Sequence, residues 1–233
     1  METNTIKKLR RFNLIMGGLH LVQGIAMLLL ATTVIQTISE FSPDILIYYL
    51  TYDSILGGLV LTGRILFQLP FGIMVASFLF LSALAHFLIA VPFNKAYEKG
   101  LKNNINRFRW IEYALSSSIM IVLISTLFGI YDLASLVLIF IANATMNLFG
   151  LLMEEMNGKN LGTGKVNWSP FVYGSIIGLA PWAAIIIYMT GNPALDMVPW
   201  FVWAIAGAYF ICFFTFPVNM ILQYARVGKW KDY

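Results

Sequence analysis

The sequence predicts an all-α polytopic membrane protein, and three observations support that fold class. Of the 233 residues, 59% are hydrophobic and only 11% are charged, a composition far too apolar for a soluble domain. Six stretches reach the length of about 20 apolar residues that is needed to cross a bilayer. Lysine and arginine concentrate in the segments between alternate stretches. We expect residues 1–233 to form a single transmembrane helical domain.

The predicted spans cover residues 13–35, 69–92, 108–130, 133–153, 170–190 and 199–222. The N-terminal run lacks a small-residue cleavage site and is long enough to span, which favours a first membrane helix over a cleaved signal peptide. Between the first two spans, segment 36–68 contains "ILIYYLTY" and "LVLTGRILF" on either side of Gly57 and Gly58. β-Branched and aromatic residues around a glycine pair predict a two-stranded hairpin.

The basic residues predict the orientation of these six spans. Those that fall on one side of the membrane are Lys7, Lys8, Arg10, Arg11, Lys95, Lys99, Lys102, Arg107, Lys159, Lys165, Arg226, Lys229 and Lys231, with Arg109 at the border. Only Arg64 falls on the other side. Because lysine and arginine favour the cytoplasmic side, both ends of the chain are predicted to be cytoplasmic and the hairpin external. A further span at 45–63 would divide these charges between the two sides and bury Asp53.

Three ionisable residues remain inside the predicted spans: His20, His86 and Glu112. At a helical rise of about 1.5 Å per residue, all three lie one to two turns from the basic end. A carboxylate and two imidazoles at one level can share protons and accompany a buried cation. Two simpler interpretations stay open. Glu112 could pair with Arg109, three residues earlier on the same helix, and the histidines could be satisfied core residues.

Other features narrow the class of function. A single cysteine, Cys212, excludes a disulfide framework and a cysteine-based metal site. Motifs of hydrolases, metalloproteases and nucleotide-binding enzymes are absent, so the sequence predicts neither an enzyme nor a metal site. Ser116 follows Glu112 by one helical turn, and Asn143 is an amide in the fourth span that needs a partner. Trp182 follows Pro181, which frees a backbone carbonyl in the fifth span.

Six fragments together resemble the heliorhodopsin family, whose members bind retinal and have a cytoplasmic N-terminus. In chain order the fragments are "FNLIMGGLHLVQG", "LSALAHF", "FRWIEYALSSSIMIVLI", "ANATMNLFG", "GLAPW" and "LQYARVGKW". They run along nearly the whole chain, which makes the resemblance more specific than any single fragment. The orientation predicted from charge agrees with it.

The resemblance implies roles for particular residues. Glu112 matches the counter-ion to the protonated retinal Schiff base, and His20 and His86 match two histidines near that site. The retinal pocket is predicted from Ser82, Tyr113, Ser116, Asn143, Met146 and Trp182. Segment 36–68 matches an external loop that forms a small sheet and takes part in dimer contacts.

The family has seven helices, and the seventh carries the lysine that binds retinal. Six of them are visible here, and every lysine of this sequence lies in a terminal segment or a loop. The lysine that binds retinal would come from a continuation of the chain or from a separate fragment, or it would be absent because the protein is a six-helix relative.

The sequence therefore predicts a light-sensing retinal photoreceptor in a prokaryotic plasma membrane, acting as a homodimer on an unknown signalling partner. Signalling is favoured over ion pumping because Glu112 stands alone, without a chain of carboxylates across the membrane. The alternative is a small six-helix proton or cation transporter or channel that uses Glu112, His20 and His86. Retinal-dependent visible absorbance distinguishes the two.

Overall fold

The computed structural model describes residues 3–34, 41–162 and 164–232. The α-helices of this part of the chain are α1 (Thr3–Leu29), α2 (Phe71–Ala90), α3 (Asn94–Lys102), α4 (Arg107–Leu127), α5 (Leu133–Asn157), α6 (Ser169–Gly191) and α7 (Trp200–Tyr224). A π-helical turn, Leu30–Val34, continues α1, and two strands, β1 (Asp44–Asp53) and β2 (Gly58–Gln68), follow it.

Among the described residues, six helices are long and apolar enough to span a membrane, namely all but the short helix α3. They correspond to the six predicted spans, and the predicted fold class is confirmed. The largest difference is at the start, because α1 begins at Thr3 and not near residue 13. Leucine, lysine and arginine in the segment before residue 13 are good helix formers, so the helix continues beyond the apolar stretch. Helix α5 likewise runs on to Asn157, four residues past its predicted end.

The spans pack in an order that follows the chain. Helix α1 packs on α2, α2 on α4, α4 on α5, and α5 on α6. Helix α7 lies against α4, where the rings of Tyr113 and Phe216 meet edge to face at 5.2 Å. Glycine permits a close approach of α1 to α2, since a Cβ on Gly24 of α1 would lie 2.7 Å from the Phe80 ring of α2. Away from the contact between Tyr113 and Phe216, residues of α2 and α4 face α7 across a cavity.

The predicted hairpin is present between the first two spans. Strands β1 and β2 pair antiparallel, with a register shift between Ile45 and Leu46. Gly57 adopts a φ of +64° in the turn, a conformation that favours glycine, whereas Gly58 already pairs with Asp53. The Asp53 carboxylate accepts the backbone N–H of Ile55 at 2.7 Å and so stabilises the turn. Residue 35 of the first predicted span and residues 36–40 of the predicted loop lie outside the described residues.

The base of the hairpin is attached to the helical bundle. The N–H of Leu46 donates to the carbonyl of Tyr131, between α4 and α5, at 2.9 Å. Ile45 is almost fully buried and joins an apolar core with side chains from four helices. That core contains Ile121, Ile124, Phe128, Ile130, Leu136, Ile139, Trp182, Ile185 and Val202. The hairpin end of the bundle is thus closed mainly by apolar packing, with Ser125 and Thr126 buried beside it. The buried Asn13, Glu154 and Asn157 lie towards the other end, which we call the basic end.

Candidate functional site

A cavity of about 990 Å³ lies between α2, α4, α5, α6 and α7. Its walls are mostly apolar and aromatic, including Phe71 and Val75 near the hairpin end and Phe213 and Phe216 of α7. Five predicted site residues that carry a polar group also line it: Ser82, His86, Glu112, Tyr113 and Ser116. A cavity with long apolar walls and few polar groups suits a largely apolar ligand.

Glu112 is held at the cavity wall by a neighbouring helix. The hydroxyl of Ser82 donates to Glu112 Oε1 at 2.6 Å. Ser82 and His86 are four residues apart on α2, so both face the cavity from the same side of that helix. The Glu112 carboxylate is thus positioned on the wall of a largely apolar cavity, where a ligand with a cationic end could contact it.

His20 and His86 stack across the α1–α2 contact, with ring centroids 5.5 Å apart and planes 14° from parallel. Asn13 orients His86 from the other side. The amide nitrogen of Asn13 donates to the carbonyl of Leu9 at 3.0 Å, which leaves its Oδ1 facing His86 Nδ1 at 2.9 Å. Because that oxygen can only accept, His86 Nδ1 must carry the proton, and in the neutral ring Nε2 is then the acceptor. His20 Nδ1 lies 3.1 Å from the Gln23 side chain.

Arg109 does not pair with Glu112, so that simpler interpretation is wrong for this structure. The Arg109 guanidinium instead donates from Nη2 to Glu154 Oε1, and Glu154 Oε2 accepts the N–H of Asn106 at 2.6 Å. Glu154 is only 3% exposed. Glu112 is therefore not the only carboxylate inside the spans, since α5 continues past its predicted end and buries a second one. An arginine and a glutamate 45 residues apart leave no spacing signal in the sequence.

A second polar group of residues crosses from α4 to α5. The amide of Asn143 donates to the hydroxyls of Ser117 at 2.8 Å and Ser118 at 3.0 Å. Asn147 donates to the same Ser117 hydroxyl at 3.1 Å, and Tyr209 of α7 donates to the Ser117 carbonyl at 3.1 Å. Asn143 was a predicted pocket residue, and here its amide ties two helices together. Ser117, Asn147 and Tyr209, which sequence reasoning did not assign to the site, line the cavity.

The remaining predicted pocket residues divide between the cavity wall and the layer behind it. Met146 lines the cavity, and a Cβ at Gly178 would collide with its sulfur, so the glycine makes room for Met146. Trp182 is buried against Tyr209, Phe210 and Phe213 of α7, behind the wall. Its role in the geometry is packing between α6 and α7.

Comparison with known proteins points to a protein family. A sequence model of the heliorhodopsin family matches residues 9–233, which is nearly the whole chain. A search of curated proteins finds no match. The match agrees with the six apolar helices and the two-stranded antiparallel hairpin of the described residues. The chain belongs to the heliorhodopsin family of retinal photoreceptor-type membrane proteins.

Proposed function

We propose that the cavity holds retinal and that Glu112 is the counter-ion to its protonated Schiff base. The observation that carries the proposal is the position of Glu112, which Ser82 fixes on the wall of an otherwise largely apolar cavity. A polyene with one positive end suits such a site. Its apolar length packs on the aromatic walls, and its charge needs a nearby anion because an unpaired buried cation is costly. Retinal, when bound, supplies the absorption of light.

The attachment amine is the part of the chemistry that residues 1–233 do not supply. Their lysines are at positions 7, 8, 95, 99, 102, 159, 165, 229 and 231, and none of them is among the residues that line the cavity. What residues 1–233 provide is the pocket, the counter-ion and the groups that can receive a proton.

His86 is the proposed proton partner of Glu112. Its Nδ1 is committed to Asn13, and its Nε2 is the free acceptor of the neutral ring, on the wall that it shares with Glu112. His20 stacks on His86 and can share a positive charge with it. If Glu112 changed its charge, His86 and His20 could take up or release the proton, all within one cluster where α1, α2 and α4 meet.

Signalling is proposed in preference to pumping because this cluster is one-sided. Towards the hairpin end, the described part of the cavity is lined by Phe71, Val75, Leu123 and Leu127, and the apolar core lies beyond. A pump needs proton carriers on both sides of its switch. Helix α7 lines the cavity and is held to α4 by the bond from Tyr209 to the Ser117 carbonyl. Its displacement is the proposed output to a partner.

The same proposal includes the orientation predicted from charge, with the basic end in the cytoplasm. A peptide tag placed before Thr3 should react with a membrane-impermeant label only after the cells are opened. Labelling of the tag in intact cells would show the opposite orientation and contradict this part of the proposal. It would leave the assignment of the cavity unaffected.

The pocket can be tested without an attachment lysine. Retinal condensed with n-butylamine gives a free Schiff base, not attached to any protein, that absorbs in the ultraviolet when neutral and in the visible when protonated. Added to the purified protein at neutral pH, it should develop a visible band, because a cavity with a built-in anion favours the cation. Illumination of that complex in sealed vesicles should change the band without acidifying or alkalising the medium.

The outcomes separate the candidate functions. A transporter or channel that uses Glu112 and the histidines would give no visible band with this reagent. A visible band with a sustained light-driven pH change would show pumping and remove the signalling proposal.

A further inference from the structure

The basic end of the bundle carries two exposed sets of cations that the proposed light reaction does not use. Three belong to the first turns of α1, Lys7, Lys8 and Arg11, and three belong to α3, Lys95, Lys99 and Lys102; all are exposed. Spacings of four and three residues place the lysines of α3 on one face of the helix. The opposite face holds Tyr97, which is buried and meets the Phe108 ring edge to face at 6.3 Å. The lysine face of α3 is therefore turned away from the protein.

The two sets adjoin the apolar stretches of α1 and α2, so we expect them at the level of the lipid headgroups. Arg10 of α1 donates from Nε to the carbonyl of Ala90, the last residue of α2, at 2.8 Å. Lys7 is one turn before Arg10, about 4.5 Å further along the helix axis. Helix α3 starts at Asn94, directly after the turn that ends α2. Each headgroup layer of a bilayer is roughly 5–8 Å thick, so these ammonium groups reach its phosphates.

Exposed apolar side chains stand beside these cations. Val91 is 58% exposed and Phe93 is 46% exposed, both in the turn between α2 and α3. Phe93 also stacks on Phe108 at the start of α4, with ring centroids 5.7 Å apart. Apolar groups next to lysines are the combination found in segments that rest at a membrane interface, where the apolar part enters the acyl boundary and the charges meet headgroups.

Within the part of the chain that the structure describes, none of the six cations forms an ion pair with a carboxylate. The ion pairs of the described residues join Arg107 to Glu155 and Arg109 to Glu154, and neither involves the two sets. Glu98 is the one acidic residue of α3. The surface thus has a positive charge that an external anion can neutralise.

We propose that this basic surface, formed by Lys7, Lys8 and Arg11 with Lys95, Lys99 and Lys102, binds the headgroups of anionic phospholipids. Clusters of lysine and arginine immediately outside a membrane helix attract anionic lipids, since their charges lie within a Debye length of the bilayer surface. The bound lipid holds α3 and the first turns of α1 against the bilayer. The inference does not depend on retinal or on the proposed light response.

The test compares nanodiscs of phosphatidylcholine alone with nanodiscs that also contain phosphatidylglycerol. We expect phosphatidylglycerol to raise the thermal unfolding midpoint of the wild-type protein and to be retained in preference to phosphatidylcholine in native mass spectra. The variant Lys95→Gln, Lys99→Gln, Lys102→Gln should lose at least half of that stabilisation and of the retained phosphatidylglycerol. High salt should reduce both effects in the wild type.

A matched variant controls for net charge. Lys159→Gln, Lys165→Gln, Lys229→Gln removes the same charge from exposed positions at the same end of the bundle. It should keep most of the preference for phosphatidylglycerol. Equal losses in the two triple variants would show a general charge effect and overturn the proposal. So would a wild-type protein that responds identically to the two lipid compositions.

Discussion

Asn13 determines the tautomer of His86 although it does not line the cavity. It is 6% exposed, donates to Leu9 within its own helix and presents its oxygen to His86. Replacing it by leucine removes the acceptor, so His86 should lose its strict preference for the Nδ1–H tautomer. Nitrogen-15 NMR of labelled histidine would detect this as a mixture of tautomers. Gln23→Leu, which alters the neighbour of His20, should leave the His86 signals unchanged, and an unaltered His86 tautomer in Asn13→Leu would contradict the assignment.

The site residues show which features of the site can be predicted from the sequence and which cannot. The common depth of Glu112, His20 and His86 follows from counting turns from the basic segments. Their partners do not follow, because Ser82 meets Glu112 across two helices and Asn13 meets His86 across another pair. Side-chain contacts between helices depend on rotation and tilt, and the sequence of one helix encodes neither.

At the scale of elements, the ion pairs between the start of α4 and the end of α5 offer a matched comparison. Glu154 is buried and forms an ion pair with Arg109, whereas Glu155 and its partner Arg107 are exposed. We expect Glu154→Gln to destabilise the protein by about 2 kcal/mol, less than a fully buried pair because the Arg109 side chain is one-third exposed. Glu155→Gln should cost less than about 1 kcal/mol. Thermal unfolding of the two variants in one detergent measures the difference, and equal stability would mean that Glu154 contributes no more than a surface charge.

Element boundaries follow from the sequence where one physical signal dominates. The apolar lengths located the six spans, and β-branched residues around Gly57 located the hairpin. The position of Glu154 was missed because α5 continues for one turn beyond its apolar stretch, and hydropathy carries no signal for a helix that ends in a buried ion pair. The short helix α3 was likewise hidden in a basic loop.

At the scale of the whole molecule, the hairpin presents one uniformly apolar face. Alternate residues of β1, Tyr48, Leu50 and Tyr52, lie on the same face of the hairpin as Leu59 and Leu61 of β2. All five are more than half exposed. The other face is more polar, and there the hydroxyls of Thr51 and Thr62 bond to each other. Monomers rarely leave such an apolar patch open, so we propose a homodimer with the hairpin near the contact.

The dimer prediction can be tested by changing one face at a time. Leu50→Thr with Leu61→Thr keeps β-forming side chains but removes apolar area from the exposed face, and it should shift the protein in mild detergent towards monomer. Tyr49→Thr with Val60→Thr is the control on the opposite face and should remain dimeric. Light scattering coupled to size exclusion gives the masses. A wild-type protein that is monomeric at every concentration would contradict the proposed homodimer.

The central claim is that Glu112 is the counter-ion of a retinal cation, and its most direct test is a pH titration of the visible band. The n-butylamine Schiff base of retinal is bound to the wild type, to Glu112→Gln and to Glu155→Gln, a carboxylate outside the cavity. The neutral amide of Glu112→Gln no longer stabilises the cation, so its visible band should be lost at pH 7 and return only in more acidic solution. Wild type and Glu155→Gln should keep the band at neutral pH. A Glu112→Gln protein whose spectrum and titration match the wild type would contradict the account.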